Sequence, residues 1–357
     1  MYEYKGVIHI HSNYSDGSGS IEEIIKSASE VDIDFIILTD HNTLKPKSDG
    51  YEGWYDDLML IIGTELNDKD DKNHYLALGI DKLPYKHDNA KEYVDYVEKQ
   101  GGIGFIAHPL EKRKGLNKQP SYPWVDWSIK NFTGIEIWNH MSEWIEGLND
   151  NNKLKRLIHP LKSINAPTRE VLKLWDKLNM ERDVPAIGSV DAHAYKQDLA
   201  KFFNLEIFAY KILFKSIRTH VLLEDEIGIK KRYRFEKQKK EILNALKNGH
   251  SFIGNFYHGD PKGFRFSAQC KKKKYIMGDS LFKDNNDVVS FSIQVPFEGE
   301  IKLLKNGEVI LQEMGMELLY NTREYGNYRV EVMKGKKGWI YSNNIKVLKD
   351  NSIRERK

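Results

Sequence analysis

GVIHIHSNYSDG (residues 6–17) ends an apolar run on two histidines spaced two apart and follows them with an aspartate. In an extended chain that spacing puts His9 and His11 on one face and Ile8 and Ile10 on the other. The same device recurs. DFIILTDH (34–41) ends on His41, LMLIIGTE (58–65) on Glu65, and GIGFIAHP (102–109) carries His108. PAIGSVDAH (185–193) repeats the two-apart spacing with Asp191 and His193. HYLALGI (74–80) instead opens on His74, and GIEIWN (134–139) runs directly into His140. Apolar runs this short and unbroken fit strands buried on both faces, as in a parallel sheet.

Amphipathic stretches separate the runs. Ser20 and Glu23 form a capping box at the head of IEEIIKSASEV, whose Ile21, Ile24, Ile25, Ala28 and Val31 share a face. AKEYVDYVEKQ (90–100) stops at Gly101-Gly102, and residues 168–182 and 235–249 show the same helical period. Strand–helix alternation predicts an α/β fold, either a barrel or a doubly wound sheet. Beyond about residue 255 the period changes to two, in SFSIQV, EIKLLK, NYRVEV and NNIKVL, with a type I′ hairpin signal at Asn306-Gly307. A small antiparallel β-sandwich is expected there. The division is therefore 1–257 for a catalytic α/β domain, 258–349 for an accessory sandwich, and 350–357 for a polar tail.

Composition sets limits. The 357 residues, 40% hydrophobic and 30% charged, suit one catalytic domain and a smaller partner. A net charge of +3 does not by itself argue for nucleic acid. The single cysteine, Cys270, rules out an internal disulfide and any paired-cysteine metal site. No run reaches the length of a membrane span, and with Met1 as the native start the absence of a leader points to the cytoplasm.

The chemistry lies in the run ends. In α/β folds the carboxyl ends of parallel strands face a common site. His9, His11, Asp16, His41, Glu65, His74, His108, Asp191 and His193 occupy corresponding places along the chain, and they are the candidate metal ligands. Imidazole mixed with carboxylate suits Zn²⁺, Mn²⁺ or Fe²⁺. Asn139 and His140 are candidates for contacting substrate or supporting the ligands, and Asp40 and Glu136 for orienting imidazoles. Lys45 and Arg169 are weaker candidates for holding an anion. Trp124, Trp127, Trp138 and Trp144 are weighed as pocket walls against ordinary core packing. His87, His159, His220, His250 and His258 lack the strand-end context and are expected in surface or capping roles.

HIHSNYSDG, LTDHNT, GTELN, HYLALGI, AHP and SVDAHA together resemble the PHP family, named for polymerase and histidinol phosphatase, over about residues 5–200. The resemblance implies a distorted seven-stranded β/α barrel with two or three divalent ions (Zn, Mn or Fe) held by those nine side chains. It implies one ion on His9, His11, Glu65 and Asp191, a second on Glu65, His74 and His108, and a third on Asp16, His41 and His193. Glu65, Asp191 and His193 are the implied catalytic positions. YGNYRVEV and GWIYSNNIKV are similar to the ending of PHP proteins related to carbaryl hydrolase, although Asn344 stands where that ending usually has proline.

A metal acidifies bound water to a pKa of about 7, so metal-bound hydroxide replaces a serine or cysteine nucleophile. The expected activity is phosphoester hydrolysis on a small phosphate ester or nucleotide. The alternative is a carbamate, amide or carboxyl-ester hydrolase of the carbaryl-hydrolase type. A reading of another class, a nucleic-acid-binding module, draws on the basic runs KKKK (271–274), KQKK (237–240) and KGKK (334–337). Such runs more often protect sheet edges.

Overall fold

The structure is a computed structural model that describes residues 1–350 apart from 86–87, 114–119, 195, 201–202 and 207; for 196–200, 203–206 and 231–232 it describes the backbone alone. His87 and the polar tail after Asp350 lie outside the described residues.

The chain has a mixed α/β fold in which each apolar run supplies a strand. Tyr2–Ile8, Phe35–Leu38 and Leu58–Ile62 pair in parallel, and Tyr2–Ile8 also pairs antiparallel with Ile217–Leu223. A second sheet takes Thr64–Leu66, Tyr75–Leu78, Ile103–Ile106, Gly134–Asn139 and Ala186–Ser189 in that order. The sheets touch at two isolated parallel bridges, Ile10 with Ala192 and His41 with Glu65.

Gly63 marks the change of sheet. It separates Leu58–Ile62, which belongs to the first sheet, from Thr64–Leu66, which belongs to the second. A side chain here has no room: a Cβ would sit 2.5 Å from Leu78 Cδ2 and 2.8 Å from the Ala77 carbonyl oxygen.

Alternation explains why the runs are apolar throughout. Ile8, Ile37, Ile61, Leu76, Phe105 and Ile187, drawn from both sheets, meet in one buried cluster. Their neighbours Val7, Ile36, Leu60, Ala77, Ile106 and Ala186 belong to another cluster, shared with the helices Ile21–Ser29, Ala90–Lys99 and Arg169–Glu181. Both faces of the strands are therefore sealed. The expected helix starts and stops hold: Ser20 and Glu23 close the capping box, and Gly101 and Gly249 take left-handed φ of 73° and 72° just past their helices.

One expectation changes. The sheet around the site is not all parallel, because Tyr75–Leu78 runs antiparallel to both Thr64–Leu66 and Ile103–Ile106. The start of an antiparallel strand lies beside the ends of its neighbours. That is how His74, which opens its run, reaches the same place as residues that close theirs.

Beyond residue 257, Val289–Lys305 and Glu308–Thr322 form a long hairpin, and Asn306 and Gly307 at its turn have φ of 53° and 85°. SFSIQV and EIKLLK are one strand, interrupted in register between Gln294 and Gly299. Phe266, Phe291, Val330, Trp339 and Val347 pack in a cluster that also takes in Leu222 and Phe252. Lys337–Ser342 pairs with Ser251–Asn255, so these strands extend the first sheet. Buried Arg329 grips Asp176 of the Arg169–Glu181 helix at 2.7 and 2.8 Å. Among the described residues no helix is long and apolar enough to cross a membrane.

Candidate metal centre

Strand ends, the start of Tyr75–Leu78 and the loop that carries Asp16 bring the nine expected side chains to one place. Glu65 is its hub. Its Oε2 lies 2.8 Å from His9 Nε2, 3.2 Å from His11 Nε2 and 3.6 Å from His41 Nε2. Its Oε1 lies 2.8 Å from His74 Nδ1 and 3.2 Å from His108 Nε2. Asp191 Oδ1 lies 3.4 Å from His9 Nε2 and 3.5 Å from His11 Nε2. Asp16 faces His193 Nε2 at 3.2 Å, His11 Nδ1 at 3.5 Å and His41 Nε2 at 3.8 Å.

Among the described residues four compact groups of donor atoms result: His9–His11–Asp191, His9–Glu65–His108, His41–Glu65–His74, and His11–Asp16–His41–His193. The grouping differs in detail from the expected one. His74, which shares Glu65 Oε1 with His108, also gathers with His41, and His11 joins the residues around Asp16.

Three of these ligand candidates sit in left-handed backbone: His9 at φ 67°, His108 at 28° and Asp191 at 52°. The strand itself ends at Ile8, so His9 and His11 are not aligned by a regular pleat as the two-apart spacing implied. A sharp backbone turn at His9 aims them instead. Non-glycine residues held at such angles cost about 1–3 kcal/mol each and gather at functional sites.

In four of the six imidazoles the second nitrogen shows how the ring is held. His9 Nδ1 meets Glu136 Oε1 at 3.0 Å, His108 Nδ1 the Tyr122 carbonyl at 3.2 Å, and His193 Nδ1 the Asp191 carbonyl at 3.0 Å. His74 Nε2 faces Asp71 at 3.3 Å, and the Tyr122 ring stacks on His74 with centroids 5.0 Å apart. Glu136 thus orients an imidazole. Asp40 does not: it accepts from the Ser12 amide and hydroxyl and from Ser15, each at 2.7 Å, and so secures the loop that carries Asp16. Asp71 and Tyr122 were not anticipated. Each sits in a loop, where no period marks it.

Electrostatics follow from burial and crowding. Burial alone would raise the Glu65 carboxyl, but His9, His41 and His74 outweigh it and hold it well below the usual range. Asp191 is held down against burial chiefly by His9 and His11. Burial opposes charge on His11 and His74, yet their carboxylate neighbours lift them to about 9 and about 10. Burial dominates at His41 and pulls it down to about 4.

The donor set fits divalent ions. Both His11 ring nitrogens are buried and have no hydrogen-bond partner among the described residues, while carboxylate oxygens stand 3.2–3.5 Å away. Two ligand atoms each about 2.1 Å from one ion, at tetrahedral to octahedral angles, lie about 3.0–3.4 Å apart. The spacing is close to that of atoms sharing a cation, and mixed imidazole and carboxylate ligands suit a divalent metal.

The remaining candidates divide. Asn139 Nδ2 donates to Glu136 at 2.9 Å and lies 3.3 Å from Asp191 Oδ2, so it supports the centre. His140 is fully buried, both its nitrogens are without a hydrogen-bond partner among the described residues, and burial with nearby Arg156 pulls it down to about 3. Trp124, Trp138 and Trp144 are buried and Trp127 packs against the same core. Trp138 also bounds a cleft beside the centre, together with His108, Glu111, Asn139, Glu146 and Thr168. Lys45 pairs with Asp49, and Arg169 is exposed on the first turn of its helix. His159 caps a helix, but His220, expected at the surface or in a cap, is buried in a strand against Glu3 at 2.8 Å. In the basic runs, Lys271 pairs with Asp287, Lys239 with Glu52, and Lys337 donates to the Ile164 carbonyl.

The family model of the PHP domain matches residues 8–313, most of the chain and past position 257. Among solved structures, a two-domain protein containing predicted PHP-like metal-dependent phosphoesterase from Bacteroides vulgatus shares 15% identity over 96% of this chain and 95% of its own, with a TM-score of 0.45. PsfC from Pseudomonas syringae shares 13% over 69% of this chain and 100% of its own, with a TM-score of 0.40. An amidohydrolase from Chromobacterium violaceum with bound sulfate and no metal shares 14% over 53% and 87%, with a TM-score of 0.31. No curated protein matches.

Proposed function

The chain belongs to the PHP-domain family, and on that premise we propose that it is a metal-dependent hydrolase of phosphate esters of small molecules. The observation that carries the reading is Glu65, one buried carboxylate in reach of five imidazoles from four separate segments. Two or three bound divalent ions would supply acidified water and offset charge on a phosphoryl group.

The residues divide that work. Glu65 and Asp191 hold His9 and His11 in register, and Glu136 keeps Nδ1 of His9 as the proton-bearing nitrogen, so that Nε2 faces inward. The Asp191 carbonyl does the same for His193, leaving its Nε2 toward Asp16 and the mouth of the site. Glu65, Asp191 and His193 are the proposed catalytic residues. The cleft beside His108 is the proposed seat of the leaving group.

On this reading strands drawn from both sheets form one distorted seven-stranded barrel, closed through Ile10–Ala192 and His41–Glu65. Residues 1–257 form the hydrolase and 258–349 an accessory unit. A carbamate, amide or carboxyl-ester hydrolase would use the same centre with a different cleft.

The test is turnover of p-nitrophenyl phosphate beside 1-naphthyl methylcarbamate, with Mn²⁺ or Zn²⁺ added. Phosphate-ester turnover that disappears in His11→Ala and Asp191→Asn supports the proposal. Turnover confined to the carbamate, or phosphate turnover that survives both substitutions, refutes it.

A further inference from the structure

Three of the four donor groups contain Glu65 or Asp191, whose side chains are 1% and 10% exposed. The fourth, His11–Asp16–His41–His193, has Asp16 as its only carboxylate, and that side chain is 50% exposed. His41 in the same group is 25% exposed. Asp16 stands 3.2–3.8 Å from its three imidazoles, and Glu65 2.8–3.6 Å from its five.

Two physical effects act together here. Attraction between an ion and a carboxylate weakens as water enters, so a half-exposed aspartate holds a cation less firmly than a buried glutamate does. An ion also leaves by exchanging ligands for water, and only this group opens to water through its own carboxylate. Asp16 rides on the loop after Ser12. That loop is tied down by Asp40 through Ser12 and Ser15, and by the Ser18 amide on the His193 carbonyl at 2.8 Å.

We infer that the position formed by His11, Asp16, His41 and His193 exchanges its ion with solvent much faster than the positions around Glu65 and Asp191. The centre then has a retained part and a labile part, and the labile part fills according to the free metal concentration. Asp40, whose carboxylate accepts from Ser12 and Ser15 and so fixes the loop that carries Asp16, is a positioning residue for it. The inference rests on the metal-centre reading and is independent of which ester is cleaved.

The experiment loads the full chain with Zn²⁺, mixes it with excess coloured chelator, and follows release by absorbance, with total metal fixed by elemental analysis. The expected course is one fast equivalent followed by a slow remainder. Asp16→Asn removes the fast phase and leaves the slow one. Asp40→Asn keeps both phases but weakens the fast equivalent by about 10–100-fold, the usual effect of losing a partner that orients a ligand. Circular dichroism checks the fold of each variant. If Asp16→Asn does not fold, Asp40→Asn decides, and an unchanged fast phase there overturns the inference. Single-phase release, or a fast phase that survives in Asp16→Asn, overturns it while the metal centre stands. A wild-type chain that binds no ion overturns both.

Discussion

Glu136 Oε1 lies 3.0 Å from His9 Nδ1, while Nε2 of the same ring lies 2.8 Å from Glu65. Glu136 also accepts from the His108 amide at 2.7 Å and from Asn139 at 2.9 Å, and the Ser189 hydroxyl donates to it as well. Every part of that carboxylate is used to align groups that face the centre. Glu136→Gln keeps the shape but cannot accept on both oxygens. Metal affinity measured by calorimetry should fall by about 10–100-fold, with circular dichroism unchanged. Equal affinity in the variant would mean that His9 is held by other means.

Glu65→Gln should do more. It removes the charge shared by His9, His11, His41, His74 and His108. Fewer ions should bind, and phosphate-ester turnover should drop by at least about 100-fold, the scale of losing one fixed electrostatic partner. Wild-type stoichiometry by elemental analysis would remove Glu65 from its proposed place.

Metal binding should release protons. His11 and His74 are lifted to about 9 and about 10 in the ion-free chain, so near pH 7 they carry protons that an ion must displace. Affinity should therefore rise with pH up to that range. Calorimetry in buffers of different ionisation enthalpy reads the proton count directly; a count of zero at pH 7 contradicts the assignment.

His140 gives a separate pH signature. Its folded value of about 3 lies below the ordinary 6.5, so between those values the unfolded chain binds the extra proton. Stability should be lost as pH falls through this window, with this residue contributing up to about 1.4 kcal/mol per pH unit. His140→Leu should flatten the slope of urea midpoints between pH 6 and pH 4. An unaltered slope would show that His140 already finds a proton acceptor.

Gly63→Ala places a methyl group 2.5 Å from Leu78 Cδ2 and 2.8 Å from the Ala77 carbonyl oxygen. The leucine can turn away, but the backbone oxygen cannot. A loss of about 1–3 kcal/mol is expected from overpacking, read as a lower urea midpoint with the same slope. A midpoint at the wild-type value would mean that the two sheets can shift apart here.

Much of this centre can be read from the sequence because a ligand at the end of an apolar strand interrupts an otherwise uniform pattern. The strands, four long helices and the Asn306-Gly307 turn are visible for the same reason. Direction is not visible. HYLALGI looks alike whether its strand runs with its neighbours or against them, so the antiparallel step at Tyr75–Leu78 appears only in the structure. Neither is the left-handed turn at His9, since a period-two reading assumes an extended chain. Asp71 and Tyr122 act from loops, and His220 lies in IRTHVLL, where three consecutive polar residues mask a fully buried strand.

The pairing of Phe252, Ile253 and Gly254 with Ser342, Tyr341 and Ile340 carries a practical consequence. A product severed after residue 257 would keep Ser251–Asn255 but strip it of its neighbour, baring unsatisfied amides and carbonyls along a strand that also carries the Phe252 ring. Raw edges of that kind recruit other chains. The hydrolase portion made by itself should accordingly clump during expression, even though all nine ligand candidates lie within it.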